Sequence, residues 1–289
     1  MKSEFLKDIL LPIDGSNSSL IAEEIALAIA KKTIVRVTVL HVIPHSRSYM
    51  DLLVNYDVPT SIANEILGSL EQQADRIISS SKSLFVDEGI RIETEIVSET
   101  DVAESILKFS SNRYDLIIIG AHGENEKGLY ALGSVTKRVL MHSTCPVLIA
   151  KNACHFAKLL VCIDGSNHSF KTLDYAAKLA KNMGSKITLL NVQERRLGAS
   201  YSKVARELGE RIFLKALGTV EDIEPKTDKK LEFGVPSDTI VEVAQKGNYD
   251  LIALGKRGLG NVKRFLLGSV SDDVANNAKC SVMIVPTEA

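Results

Sequence analysis

Short runs of apolar residues alternate along the chain with longer segments in which apolar residues recur every three or four positions. Uninterrupted apolar runs are typical of strands buried on both faces of a parallel sheet, and the longer spacing is typical of amphipathic helices. The alternation therefore predicts βαβ units in a doubly wound sheet. The predicted strands are Asp8–Ile13, Val35–Val42, Arg91–Val97, Leu116–Gly120 and Pro146–Ala150, then Lys158–Ile163, Lys186–Val192, Lys230–Phe233, Leu251–Gly255 and Ser281–Pro286.

Three of the intervening segments carry apolar stripes at helical spacing. Such stripes predict the faces of helices that pack on the sheet. Their members are Phe170, Leu173, Ala177 and Ala180, then Val204, Leu208, Ile212 and Ala216, and in the first half Ile62, Ile66, Leu70 and Ala74.

One long internal repeat sets the organisation. Ile9–Asn17 matches Leu159–Asn167 at an offset of 150 residues, and Tyr114–Ile117 matches Tyr249–Ile252 at an offset of 135. A period this long indicates a duplicated domain rather than a solenoid unit. The sequence thus predicts two tandem five-stranded doubly wound domains, with ligand sites beyond the carboxyl ends of the strands. The predicted domains are residues 1–152 and 153–289.

After its fourth predicted strand, each copy shows the same glycine spacing before a helical pattern. The two motifs are Gly120-Ala121-His122-Gly123, nine residues and Gly133-Ser134-Val135-Thr136, and Gly255-Lys256-Arg257-Gly258, nine residues and Gly268-Ser269-Val270-Ser271. Free amides and the positive end of a helix dipole favour a phosphate there, and the hydroxyls of Ser134, Thr136, Ser269 and Ser271 add candidate donors. Ordinary capping and turn formation explain one such loop equally well. Two matching copies favour an anion site.

Asp14 and Asp164 follow the first strand of each copy. A carboxylate at this edge can accept a hydrogen bond from a ribose hydroxyl or help to hold Mg²⁺ beside phosphates. The alternative is that each aspartate holds the turn before the next helix. We favour the ligand role, because Ser16 and Asn17 already supply caps in the first copy.

Composition and missing motifs exclude several classes. The 289 residues are 45% hydrophobic and 25% charged, as in ordinary globular proteins. A net charge of −1, 5% aromatic residues and no Trp disfavour general nucleic-acid binding. The chain has neither a GxxxxGK[ST] motif nor a GxGxxG motif in its first turns, so a Walker-type NTPase and a nicotinamide oxidoreductase are disfavoured.

The remaining composition predicts a cytoplasmic protein with reduced thiols. The apolar run near the N-terminus ends at Asp14, too early for a signal peptide or a membrane span. The four cysteines form no CxxC pair, and Cys162 and Cys280 lie in apolar runs that predict core positions. No histidine spacing is typical of a metal site.

Together these residues resemble the universal stress protein family in its tandem, ATP-binding form. The resemblance covers the chain twice, and its most specific part is the glycine spacing. It implies an adenine nucleotide (ATP, ADP or AMP), with Mg²⁺ as an optional companion. It also implies that the last strands, Val147–Ala150 and Val282–Val285, join the repeats as an intrachain pseudo-dimer; association of two chains stays open. The residues that carry it are Asp14-Gly15-Ser16, His41-Val42, Gly120, Gly123, Gly133, Ser134 and Thr144–Ile149.

The resemblance also implies site residues. In the first copy adenosine is assigned to Pro12, Asp14 and Val42, and the phosphates to Gly120, His122, Gly123, Gly133, Ser134, Val135 and Thr136. The corresponding positions in the second copy are Asp164, Val192, Gly255, Arg257, Gly258, Gly268, Ser269, Val270 and Ser271. Cys162 stands at the position of Pro12, and Arg257 at that of His122. Because Arg is permanently charged, the second copy is expected to accept more negative ligands.

The resulting interpretation is a stress-response or signalling protein that binds adenine nucleotide in one or both repeats, with no catalytic residue assigned. The alternatives are a slow Mg²⁺-dependent ATP hydrolase, in which Asp14 or Asp164 positions metal or water, and a nucleotide-free interaction scaffold. The extra segment Pro44–Thr60 of the first copy is interpreted either as a lid or partner-binding flap, or as a surface excursion packed on the protein.

Overall fold

The computed structural model describes residues 5–44, 60–111, 113–123, 132–194, 199–220, 227–258 and 267–286. The strands are β1 (Asp8–Pro12), β2 (Arg36–Pro44), β3 (Ile92–Glu99), β4 (Leu116–Gly120), β5 (Val147–Ala150), β6 (Lys158–Cys162), β7 (Lys186–Gln193), β8 (Thr227–Phe233), β9 (Leu251–Gly255) and β10 (Ser281–Val285). The helices are α1 (Asn17–Lys32), α2 (Thr60–Asp87), α3 (Val102–Ser110), α4 (Ser134–His142), α5 (Asn167–Met183), α6 (Ala199–Thr219), α7 (Pro236–Lys246) and α8 (Ser269–Asn277). Residues 45–59, the body of the predicted insertion, lie outside the described ranges.

All ten strands form one sheet in the order β3-β2-β1-β4-β5-β10-β9-β6-β7-β8. Strands within each half run parallel, which confirms the predicted pair of five-stranded doubly wound units. The halves meet where β5 pairs antiparallel with β10, with Leu148 opposite Met283. The last strands therefore join the repeats as a pseudo-dimer within one chain.

The inner strands are apolar because helices cover both of their faces. All five residues of β4 and all five of β9 are buried. The edge strands β3 and β8 instead carry exposed Glu, Asp and Lys side chains, which discourage pairing with another sheet. One core cluster includes Leu148 of the first repeat and Val161 of the second, so the hydrophobic core is continuous across the junction.

The predicted apolar stripes on α2 and α6 are wrong at their N-terminal ends. Val204 is 62% exposed, Leu208 50% and Ile62 46%. Toward the C-terminal ends, Ala74 and Ile212 are buried as predicted. Helix α2 has 28 residues and is about 42 Å long, whereas a nine-residue strand spans about 30 Å, so the first turns of such a helix extend past the sheet.

Two lysines join the repeats at helix C-termini. Lys256 follows β9, and its Nζ donates to the carbonyl oxygen of Ser143, just after α4, at 3.1 Å. Lys151 follows β5, and its Nζ donates to carbonyl oxygens at the end of α8, the nearer being that of Ala278 at 2.7 Å. The exposed carbonyls of a helix end attract a cation. Burial lowers the pKa of each lysine to about 8, and the charge of Arg257 adds to this at Lys256.

Three further observations bear on the predictions from composition. All four cysteines are free thiols. Among the described residues, no helix combines the length and the apolar character needed to cross a bilayer. In the same part of the chain, no three His, Cys, Asp or Glu side chains are grouped so that they can hold a metal ion.

Candidate functional site

Each half of the sheet has a cavity at the point where its strand order reverses. In the first half the chain moves outward from β1 to β2 and β3, then returns to the other side of β1 as β4. The connections after β1 and β4 therefore diverge, which leaves a crevice at the carboxyl ends of these strands. The first cavity has a volume of about 470 Å³, and the second, between β6 and β9, about 520 Å³.

The structure brings nearly all of the predicted site residues to these two cavities. Ser134 is the exception: it begins α4 with an exposed side chain and does not line the first cavity. The predicted residues that line the first cavity are Pro12, Asp14, Val42, Gly120, His122, Gly123, Gly133, Val135 and Thr136. Those that line the second are Asp164, Val192, Gly255, Arg257, Gly258, Gly268, Ser269, Val270 and Ser271.

The strand-end aspartates serve the turn and face the glycine loop at the same time. Asp14 Oδ1 accepts a hydrogen bond from the amide of Ser16 at 3.0 Å. Gly15 turns the chain with φ +82°, a conformation that favours glycine. A Cβ atom added at Gly123 would lie 3.1 Å from Asp14 Oδ2. The turn and ligand interpretations of Asp14 are therefore compatible, since each concerns a different carboxylate oxygen.

The second repeat reproduces this arrangement more tightly. Asp164 Oδ1 accepts from the amide of Ser166 at 2.9 Å, and Gly165 has φ +88°. A Cβ atom at Gly258 would lie only 2.5 Å from Asp164 Oδ2, closer than a Cβ atom approaches another non-bonded heavy atom. Gly258 is therefore required if the carboxylate is to keep its place against the loop.

The helices that follow the glycine loops begin without a side-chain cap. Gly133 and Gly268 are the N-cap residues of α4 and α8, and neither helix receives a side-chain cap hydrogen bond. Their own amides close the loops by donating to the carbonyls of Ala121 (2.8 Å) and Lys256 (2.9 Å). The amides of a first helical turn lack partners within the helix, so each helix start offers donors at the border of its cavity.

Two of the hydroxyls predicted as phosphate donors bind protein carbonyls in this structure. The hydroxyl of Thr136 donates to the carbonyl of Gly120 at 2.8 Å, and that of Ser271 to the carbonyl of Gly255 at 2.7 Å. Both side chains are buried. Because a hydroxyl has one proton, neither donates to a phosphate in this arrangement. Their hydrogen bonds instead tie each helix start to the end of the preceding strand.

The strand β2 side of the first cavity has a histidine whose role the sequence did not reveal. Buried His41 lies with Nδ1 2.9 Å from the carbonyl oxygen of Ile13, so Nδ1 carries the proton. In the second repeat, Asn191 Nδ2 donates to the carbonyl of Ile163 at 2.6 Å. Two different residues thus hold the same carbonyl, directly before each strand-end aspartate. The alignment of His41 with Asn191, two residues that can both donate an N–H hydrogen bond, could have indicated this role in the sequence.

The cavity walls also include residues that sequence reasoning missed. Val102 and Ile106 of α3 line the first cavity, and Pro236 and Ile240 of α7 take the same places in the second. Their equivalent positions in α3 and α7 could have indicated in the sequence that these residues line the cavities. Cys162, predicted as a core residue, lines the second cavity and is only partly exposed. Its thiol is desolvated by the surrounding residues, which strongly raises the thiol pKa.

These features define a class: a doubly wound α/β protein with two equivalent cavities, each bounded by a strand-end carboxylate, a glycine loop and a helix start. The sequence model of the universal stress protein family matches residues 6–151 and again residues 155–286. The chain belongs to the universal stress protein family, and it contains two copies of the family's domain.

Individual relatives agree with this assignment. A universal stress protein of Staphylococcus aureus strain USA300 is 32% identical over a 146-residue alignment that covers 46% of this chain and 86% of that protein. A crystal structure of a universal stress protein from Archaeoglobus fulgidus DSM 4304 is 25% identical and superimposes with a TM-score of 0.64, covering 97% of this chain and 98% of that one. A structure from Pseudomonas aeruginosa UCBPP-PA14, 17% identical with a TM-score of 0.66 over 97% and 93% of the chains, supports the fold.

Proposed function

We propose that this protein binds an adenine nucleotide in each of its two cavities and acts in stress response or signalling through the effect of occupancy on its conformation or partners. The observation that carries the proposal is the convergence, in both repeats, of a carboxylate, a glycine loop and an uncapped helix start on one cavity. These are the groups needed for a ribose hydroxyl and for phosphates.

The lining of the first cavity fits such a ligand. It is apolar beside β2 and α3, where Val42 and Ile106 lie, and polar beside the glycine loop. A purine ring suits the apolar part and phosphates suit the loop, so the nucleoside and phosphate ends have separate places. Asp14 lies between them at the end of β1.

Direct recovery of the ligand tests this proposal. We would denature freshly purified protein, identify and count the released nucleotides by chromatography and mass spectrometry, and titrate stripped protein with ATP, ADP and AMP. Two adenine nucleotides per chain are expected from full occupancy. A chain that releases none and rebinds none would contradict the proposal and favour the scaffold interpretation.

A double variant tests the location. Gly133→Asp with Gly268→Asp adds a side chain and a negative charge at both helix starts, and we expect at least a 100-fold loss of affinity. The φ angles, −58° at Gly133 and −67° at Gly268, are open to any residue. A Cβ atom at Gly268 would lie 3.3 Å from the carbonyl oxygen of Lys256, so the change there needs a small local shift. Gly68→Asp with Gly218→Asp is the matched control, because an added Cβ at either position meets no atom within 4 Å. Unchanged affinity in the folded cavity variant would overturn the assignment.

A further inference from the structure

The loop residue that faces each cavity differs in charge between the repeats. His122 lines the first cavity and Arg257 the second, each half-buried at the same place in the glycine motif. Arg carries a permanent charge and a planar set of donors that matches phosphate oxygens. Histidine offers a single donor face and is charged only part of the time near neutral pH.

The residues around Arg257 are also more basic than those around His122. Arg257 follows Lys256, and its charge, with burial as the larger cause, lowers the pKa of both Lys256 and His168. His168 lies against the glycine loop, since a Cβ atom added at Gly255 would be 3.3 Å from His168 Cβ. Lys171 also acts electrostatically on His168. Arg257, His168 and Lys171 therefore lie at or near the second loop. Lys256 belongs to this loop but directs its ammonium group to the Ser143 carbonyl of the first repeat.

The first repeat has neutral residues at three of these four positions. The repeat alignment pairs Lys256 with Ala121, His168 with Ser18 and Lys171 with Ile21, and leaves only the pair Arg257 and His122 with a basic residue on both sides. Ser18 lies against Gly120 just as His168 lies against Gly255, since an added Cβ at Gly120 would be 2.9 Å from Ser18 Cβ.

The two repeats also differ in their net charge. Residues 1–152 contain fifteen Lys and Arg against twenty Asp and Glu, a net charge of −5. Residues 153–289 contain twenty against sixteen, a net charge of +4. The overall charge of −1 conceals this division. The difference in net charge favours the approach of an anion to the second repeat over the first.

One residue at the second cavity, Glu194, is acidic and opposes this difference in charge. Glu194 lines the second cavity, where the first has Pro44. It follows β7, on the side of the cavity away from the glycine loop. Its charge therefore bears on the nucleoside end of a ligand rather than on the phosphates.

We propose that Arg257 makes the second cavity select the nucleotide with more phosphate groups, ATP over AMP, whereas the first cavity, with His122, discriminates weakly between them. This inference rests on the proposed adenine-nucleotide function and assigns a different ligand preference to each repeat. The selectivity comes from contacts with the additional phosphate charges, because the nucleoside is the same in both ligands.

Full-length variants with one cavity blocked test the preference. Gly133→Asp leaves the second cavity open, and Gly268→Asp leaves the first. Calorimetric titration with ATP and AMP, with and without Mg²⁺, gives the ratio of the AMP and ATP dissociation constants for each cavity. We expect this ratio to be at least tenfold larger for the second cavity. Equal ratios, or a second cavity that binds neither nucleotide while the first does, would overturn the inference and leave nucleotide binding by the chain intact.

A reciprocal exchange tests the residue. Arg257→His in the Gly133→Asp chain should lower the ratio at least tenfold, and His122→Arg in the Gly268→Asp chain should raise it at least threefold. Arg211→His is the control: Arg211 is exposed on α6 and does not line the cavity. A ratio unchanged by Arg257→His in a folded chain that still binds ATP would refute the role of Arg257. Absence of adenine-nucleotide binding in every chain, wild type included, would instead refute the proposed function itself.

Discussion

The two cavities share a frame and differ in several of the side chains that line them. The frame consists of the strand-end aspartates, the glycines and a hydroxyl that binds a strand-end carbonyl, Thr136 in one repeat and Ser271 in the other. The facing side chains diverge, with His122 opposite Arg257 in the alignment and Pro12 opposite Cys162. The aspartates and glycines that shape the backbone are thus the same in both repeats, whereas these two cavity-lining positions differ in charge or size.

A second lesson is that the same backbone contact can be kept by different residues. His41 and Asn191 share no side-chain chemistry beyond an N–H donor, yet each binds the carbonyl before its aspartate. What is retained between the repeats is the donor rather than the residue type. The predictions below use such paired positions to test where the repeats are equivalent and where they are not.

The largest difference is expected at the last residue of β4 and of β9. A Cβ at Gly120 would lie 2.9 Å from backbone and side-chain carbons of Ser18, whereas at Gly255 the nearest atom is a carbonyl oxygen at 3.0 Å. Gly120→Ala should therefore cost about 3 kcal/mol of unfolding free energy and Gly255→Ala about 1 kcal/mol, as overpacking does. Denaturant unfolding measures both.

The control for this pair is Gly68→Ala, in open space within α2. It should stabilise the protein by up to about 1 kcal/mol, because alanine is the better helix former. Equal losses for Gly120→Ala and Gly255→Ala would show that the two strand ends are packed alike.

A smaller effect concerns the buried lysine after β9. Its pKa is lowered to about 8 in the folded protein, so between pH 8 and its ordinary value of 10.5 the unfolded chain binds more protons. The contribution of Lys256 to stability therefore rises with pH across this window. The unfolding free energy of wild type minus that of Lys256→Met should increase by roughly 1 to 3 kcal/mol from pH 7.5 to 10.5.

Taking the difference removes the titration of the other groups, since wild type and Lys256→Met share them. A difference that stays constant with pH would mean that Lys256 is not held in the buried position next to Ser143. Ala121 aligns with Lys256, but the carbonyl of Ala278, which aligns with Ser143, already accepts from Lys151, so Ala121→Lys is not expected to reproduce the effect.

The smallest expected effect lies at the start of α3 and α7. Asp101 caps α3 by accepting from the amide of Glu104 at 2.9 Å, whereas Val235 precedes α7 without a side-chain cap. Asp101→Val should cost about 1 kcal/mol, and Val235→Asp should gain up to about 1 kcal/mol. Thermal unfolding at neutral pH compares the two.

The acid dependence of the Asp101 cap follows from its pKa. The amide of Glu104, then Arg138, lowers the pKa of the Asp101 carboxyl in the folded protein. Its contribution is therefore complete above the unfolded value near pH 4 and is lost as the pH falls through the lowered folded value. A penalty for Asp101→Val that is unchanged at pH 2 would contradict this account.

Most of the fold could be predicted from local pattern and duplication. Apolar runs located the inner strands because these are buried on both faces, and each match between the repeats supported two assignments. The edge strand β8 begins at Thr227, earlier than the predicted Lys230. The prediction missed its first residues because they are polar and form no apolar run. The exposed ends of α2 and α6 could not be predicted, since helical periodicity indicates which side is apolar and not how far the sheet extends beneath it. Residues such as Val204 therefore looked like core in the sequence.

The candidate site was predictable where chain-local geometry decides it. The glycine spacing identified two loops that line the cavities, and Asp14 and Asp164 line them as well. The hydrogen-bond acceptor of the Thr136 hydroxyl was not predictable. A backbone carbonyl and a phosphate are equally suitable acceptors, and the sequence does not show which of them lies nearby. The contact of Lys256 with Ser143 joins residues 113 apart in the chain, beyond any local pattern.

The antiparallel junction of β5 and β10 places both repeats in one polypeptide. In a symmetric homodimer every substitution appears twice, so both sites must change together. Here a single codon change alters one site only. The acidic first repeat is also always linked to the basic second repeat. Their effective concentration is set by this covalent linkage rather than by expression level. The shared sheet therefore allows the two sites to specialise without losing their pairing.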